Sequence, residues 1–284
     1  MEQKSNFAHD KPLPLIYENY LYLKLEIQMT IEERFNLLES ELKEIRSSQR
    51  ILEMSISPLK HEHLQRLCWI TSMLQPRKTS TPLIRLGSSG DGGYVLAPPS
   101  KGKISLSIGV GEEISIDLEL VEKFDHTIFA FDPFADRPPQ APENFIFHKI
   151  GMAAKSRKGD IQYEDISTIL KRLPEIPEVA LIDIEGSEWD LAKGFKAISK
   201  IKQVVIEFHG LHMFVDDSEY RKIKKLLTQF LKTHHPIHIH GNNAGSTVRI
   251  PGAVWPSIIE VTFLRKDQFD ASKPEFNYGP WPGT

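Results

Sequence analysis

Two rhythms of apolar residues divide the chain. From Ile31 to Ile56 they fall at Ile31, Phe35, Leu38, Leu42, Ile45, Leu52 and Ile56, in steps of four and three, with Gln49 in the one remaining seam position. This heptad seam predicts a coiled-coil helix, because a seven-residue repeat keeps one stripe turned toward a partner over several turns. Charged residues fill the outward positions, and Pro58 stops the helix. The expectation is a homo-oligomer assembled through residues 1–58, with Gln49 setting register or chain number; the plainer alternative is a helix packed on its own domain. A second helix is predicted from about His61 to Leu74, closed by Pro76 and the polar stretch Arg77 to Thr81, so 59–81 reads as helix and linker.

From Leu83 the rhythm changes to short apolar runs separated by helical segments: Ile104 to Ile108, Thr127 to Phe131, Phe145 to Ile150, Val179 to Ile184, Gln203 to Phe208, Ile237 to His240 and Ile258 to Leu264. Strands alternating with crossovers predict an α/β domain over 82–268, with a mainly parallel sheet covered by helices on both faces and 269–284 as a C-terminal tail. In such sheets ligands bind beyond the carboxyl ends of the strands, so strand-terminal residues are the candidates for chemistry.

Composition narrows the function. Of 284 residues 40% are hydrophobic and 26% charged, as expected of a soluble chain that can bury a full core, and no apolar run approaches the length of a membrane span. A net charge of -3 gives no electrostatic footprint for nucleic acid. Lys222 to Lys225 read as the wet face of a helix. The single Cys68, in an apolar stretch, is expected to be a buried, inert thiol in a reducing compartment. The first residues lack the pattern of a secretory leader, and the expected location is the cytoplasm.

Ser107-Ile108-Gly109-Val110-Gly111 places two glycines in the turn after the first central strand, where backbone can approach a ligand closely. The next strand ends on Asp132, at the offset where an acid reaches a ribose diol in nucleotide-binding βαβ units. A nicotinamide enzyme and a methyltransferase using S-adenosylmethionine both fit that pair. Glu112 and Glu113 directly after the glycines speak against a diphosphate and leave room for a cationic sulfonium.

Further on, Asp183-Ile184-Glu185-Gly186-Ser187-Glu188 follows a strand with two carboxylates and a glycine turn. This segment resembles the Asp-x-Glu-Gly-x-Glu signature of the FkbM-type methyltransferases, as do Arg85 to Leu96 and Ser107 to Pro133, and the resemblance covers about Leu83 to Arg265. It implies a Rossmann-like class I methyltransferase fold with a seven-stranded sheet, S-adenosylmethionine as cofactor, and methyl transfer to a hydroxyl of a sugar, glycan or related small metabolite. The cofactor residues implied are Gly109, Val110, Gly111, Glu112, Asp132, Pro133 and Asp183. Gly151 and Met152 are expected on the adenine side by analogy with the fold. The chain departs from many class I methyltransferases in having Ser107 where an acid opens the glycine loop, so the methionine end is expected to rest on Asp91, Gly92, Tyr94 and Glu112.

Methyl transfer to oxygen needs an aligned acceptor and a proton acceptor. His209 is the expected general base, with Asp183 or Glu185 orienting it or the acceptor; the plainer alternative is a histidine that only tethers its loop. Asp183, Glu207 and His209 would be the ligands if a divalent metal takes part. Six of the eleven histidines lie between His209 and His240, with His238 and His240 on one strand face. Asn242 and Asn243, flanked by Gly241 and Gly245, are expected to form a loop over the acceptor. A noncatalytic scaffold of the same fold is the alternative of a different class.

Overall fold

The computed structural model describes Leu42 and residues 60–90, 92–242, 245–250, 253–270 and 274–279. The coiled-coil seam, apart from a helical and exposed Leu42, lies outside them, as do Asp91 and Asn243. All the elements below belong to the unit Glu53–Thr284.

Helix α1 (His61–Met73) is followed by a hairpin of β1 (Ile84–Leu86) and β2 (Tyr94–Leu96), then β3 (Ile104–Ile108), α2 (Ser115–Phe124), β4 (Thr127–Phe131) and β5 (Phe145–His148). A small pair, β6 (Gly151–Met152) with β7 (Tyr163–Glu164), leads to α3 (Ile166–Arg172), β8 (Val179–Ile182), α4 (Phe195–Ile198) and β9 (Gln203–His209). The remainder is α5 (Asp217–Thr233), β10 (His234–Gly241), the hairpin of β11 (Thr247–Ile250) and β12 (Ala253–Pro256), and β13 (Ile258–Arg265).

Seven strands form the main sheet in the order β10-β13-β9-β8-β3-β4-β5. Neighbours from β9 to β5 are parallel, and only β13 runs against its two neighbours. This is the mainly parallel, Rossmann-like sheet anticipated from the alternation of elements. The central strands β3, β4, β8 and β9 are buried almost throughout because both faces are covered. Along β4 and β8 the side chains alternate between two cores: Phe129, Phe131, Ala180 and Ile182 join one with Phe230 of α5, and Ile128, Ala130, Val179 and Leu181 join the other with Leu120 of α2.

Four local departures have physical causes. The third predicted strand splits because Ile150 N–H turns back onto the His148 carbonyl (2.8 Å), ending β5 and freeing Gly151 and Met152 to pair with β7. Strand β8 stops at Ile182, and the chain leaves the sheet at Asp183. Strand β10 starts at His234 rather than Ile237, with a bulge between Pro236 and His238; an edge position tolerates the missing proline N–H. Cys68 is exposed, not buried, because α1 turns Ile70 and Leu74 into the core and carries Cys68 on another face. Helix α5 buries Ile223, Leu226, Leu227 and Phe230 and leaves Lys222, Lys224 and Lys225 in solvent, while Asp216 caps its first turn by accepting from Ser218 N and Glu219 N.

The β1/β2 hairpin lies on one face of the sheet, pinned where Thr262 Oγ1 donates to the Val95 carbonyl (2.6 Å) and the Gln203 amide exchanges bonds with the Ala97 backbone. This brings Gly92 and Tyr94 over the carboxyl ends of β3 and β8.

Candidate active site

Beyond Ile108 the chain turns through Gly109 and Gly111, both at positive φ (76° and 57°). A Cβ at Gly109 would stand 1.4 Å from the Asp183 carbonyl oxygen, so the β8 exit can pass this loop only if position 109 has no side chain. Asp132 holds the loop from the other side. One of its oxygens accepts from Gly111 N (3.1 Å), the other from Phe134 N and Ala135 N (2.7 Å each).

A cleft opens beneath this loop, lined by Gly92, Tyr94, Ser107 to Val110, Glu113, Ile116, Asp117 and Leu181 to Asp183. Three of these residues are carboxylates and none is Lys or Arg. Glu113 sits at the exposed mouth and accepts from Ser115 N. Asp117 is buried, 2% exposed, on the inward face of α2 between Ile116 and Leu120. Burial pushes its carboxyl up to about 7.

Beside the cleft, β8 stops at Ile182 opposite Ile206 while its parallel neighbour β9 runs on to His209, which gathers four carboxylates around one imidazole. His209 Nδ1 lies 3.1 Å from Glu188 Oε1, and Nε2 lies 3.2 Å from Glu185 and 3.9 Å from both Asp183 and Glu207. Glu188 is fully buried and also accepts from Ile184 N and Gly186 N, which holds the turn in which Glu185 takes a positive φ of 52°. Trp189 Nε1 donates to the His209 carbonyl (3.0 Å). Burial alone would lower the His209 pKa, but hydrogen bonds to Glu185 and Glu188 and the charges of Glu188 and Asp183 outweigh it and push it up to about 11. Asp183 moves to about 7, driven first by burial and then by the charge of Glu207. The electrostatics of the cluster thus favour the protonated form of the His209 imidazole and oppose ionisation of Asp183.

Asp183, Glu185 and His209 each bring one ligand atom, all within 4.8 Å of one another, and could hold a divalent ion. Glu207, the third ligand expected from sequence, instead accepts from Tyr94 Oη (3.1 Å) and Asn242 Nδ2 (2.9 Å). Asn242 thus braces the site's floor. Glu112 points to solvent and is not among the lining residues. Gly151 and Met152 are buried, with a Cβ at Gly151 only 2.5 Å from the Tyr163 ring, and neither lines the cleft. Pro133 is half-buried beside them. The other histidines of the cluster do not converge on the site. His234 is held by the Ile201 carbonyl, His238 stacks on His240, and burial pushes both His234 and His238 down to about 4. Asp117 and the bracing role of Glu188 were not anticipated; an acid on the apolar face of α2 was the available signal for the first.

The chain is similar to an FkbM methyltransferase. That solved structure, from Methylobacillus flagellatus, matches over 78% of this chain at 15% identity with a TM-score of 0.39, and this chain covers 60% of its length. The N-methyltransferase NodS from Bradyrhizobium japonicum matches over 72% of this chain and 93% of its own at 8% identity, with a TM-score of 0.34. No family model matches the chain, and no curated protein does. Among the described residues no helix is long and apolar enough to cross a membrane.

Proposed function

We propose that this chain is an S-adenosylmethionine-dependent methyltransferase that methylates a hydroxyl of a sugar, glycan or related small metabolite in the cytoplasm. The observation that carries the reading is the charge of the cleft: Glu113, Asp117 and Asp183 line it with no cationic side chain among the described residues, beneath a glycine loop tied to a strand-end acid. Such a lining favours a ligand bearing positive charge and disfavours the diphosphate of a nicotinamide cofactor.

When bound, S-adenosylmethionine supplies an electrophilic methyl group. Gly109 and Gly111 would let the loop backbone approach the nucleoside, and Asp132, buried with both oxygens accepting from backbone N–H groups, holds that loop in shape. Asp183, at the junction of the cleft and the His209 cluster, would take the proton of the acceptor hydroxyl. Burial and the charges of Glu207, Glu185 and Glu188 hold the Asp183 pKa up against the His209 charge, which lowers it, so that Asp183 can accept a proton. A second reading rests on the Asp183, Glu185 and His209 grouping, which as a divalent-metal site would acidify the acceptor hydroxyl instead.

The test is a thermal-shift titration with S-adenosylmethionine, S-adenosylhomocysteine and nicotinamide dinucleotides, each with and without magnesium. Ligand at about 100 times Kd should add about 2.7 kcal/mol of stability for the adenosyl compounds only, and Asp132→Ala should abolish the shift. Mass spectrometry of a sugar panel should then find a methylated product whose rate rises with pH through about 7. Stabilisation by a dinucleotide alone, or by nothing, would overturn the proposal.

A further inference from the structure

Asp117 is not accounted for by the chemistry above. It is 2% exposed, its Oδ2 is offered only the Ser107 hydroxyl at 3.5 Å, and its Oδ1 accepts no hydrogen bond from any described residue. An unsatisfied carboxyl inside a fold is costly, and it is kept where something else completes it. It lines the cleft next to Ser107, Gly109 and Gly92, with Glu113 at the mouth and no Lys or Arg in the lining among the described residues. A ligand group that satisfies a buried carboxylate in such a place carries several N–H donors and a positive charge: an alkylammonium.

We infer that Asp117 is the recognition acid for the α-ammonium of the cofactor's methionine end, its carboxylate taking over from α2 the place that Ser107 leaves vacant at the end of β3. This deepens the methyltransferase reading and rests on it. Ser107 has its own part. Its small side chain leaves room for Asp117 to reach the cleft, and its hydroxyl steadies Oδ2, whereas a strand-end acid at 107 would set two carboxylates against each other. Burial keeps Asp117 near neutrality in the empty protein, with the charge of Glu113 adding to the shift, so the arriving ammonium converts a half-protonated group into an ion-paired carboxylate.

The test is calorimetry at pH 8 with two probes, S-adenosylhomocysteine, which carries the ammonium, and 5′-methylthioadenosine, which lacks the amino-acid end. Asp117→Asn keeps the shape and removes the charge. It should weaken S-adenosylhomocysteine binding by about 10- to 100-fold, the loss expected for one charge-assisted bond, and leave 5′-methylthioadenosine within about threefold. Equal losses for both probes, or none for either, would overturn the assignment. Wild-type protein that binds neither probe would instead overturn the methyltransferase reading itself. A measurement on the wild type needs no stable variant for its main signal: at pH 7, in buffers of different ionisation enthalpy, S-adenosylhomocysteine should release more protons than 5′-methylthioadenosine does. Equal release for the two would again sink the assignment.

Discussion

Asp183→Asn is expected to stabilise the ligand-free protein by roughly 2 kcal/mol at pH 8 and to leave it near wild type at pH 4. The folded-state carboxyl sits at about 7, held up first by burial and then by the charge of Glu207, whereas in the unfolded chain it titrates near its ordinary value of 3.8. A group whose folded pKa is raised contributes its full stability below the unfolded value and loses it as pH climbs through the folded one. Wild-type stability should therefore fall between about pH 4 and pH 7, and the amide should be spared this loss. One pKa unit is worth about 1.4 kcal/mol, and the estimate is cut to about half because the side chain is 32% exposed. Urea unfolding at the two pH values measures it, and a variant with the same offset from wild type at both would refute it. The stabilised protein should be a poor catalyst: without its proton acceptor, methyl transfer should fall by about 10²- to 10⁴-fold.

Gly109→Ala should destabilise the fold by roughly 3–5 kcal/mol, combining a backbone conformation unfavourable to alanine with overpacking against a backbone atom. The added methyl would meet the Asp183 carbonyl oxygen at 1.4 Å, and that oxygen belongs to a strand exit that cannot swing aside as a flexible side chain would. Gly111→Ala is the internal control. Its φ is also positive, at 57°, but nothing lies within 4 Å of the new Cβ, so only the backbone penalty of about 1 kcal/mol applies. Denaturation midpoints of the two variants should differ clearly, and equal midpoints would show that the contact between the glycine loop and β8 is not a constraint.

The central strands were legible because Ile104 to Ile108, Thr127 to Phe131 and Gln203 to Phe208 are short runs rich in Ile, Leu, Val and Phe set between helical segments, the pattern of a covered parallel sheet. Asp183 and His209 were legible as neighbours for the same reason: both finish parallel strands. What each does was not. The state of His209 depends on Glu185 and Glu188, which a turn beyond β8 folds back onto it, and no spacing along the chain reveals that convergence. Asp117 escaped because one acid in an otherwise apolar helix face looks like noise until the cleft is seen to end on it. The hairpin that carries Gly92 and Tyr94 has strands of three residues each, too short for a period to register.

The position of β13 bears on how the chain is made. It is the last strand of the main sheet to be synthesised, yet it is seated between β9 and β10 and pairs along seven residues of each. Until a ribosome has released residue 265, β9 presents an open edge rich in Val and Ile, and β10 has no sheet to join. The β9, β13 and β10 part of the sheet is therefore complete only once β13 is seated between the other two. Translation that stalls shortly before β13 leaves the nascent chain at its stickiest stage, with an unpaired apolar strand facing every other unfinished copy.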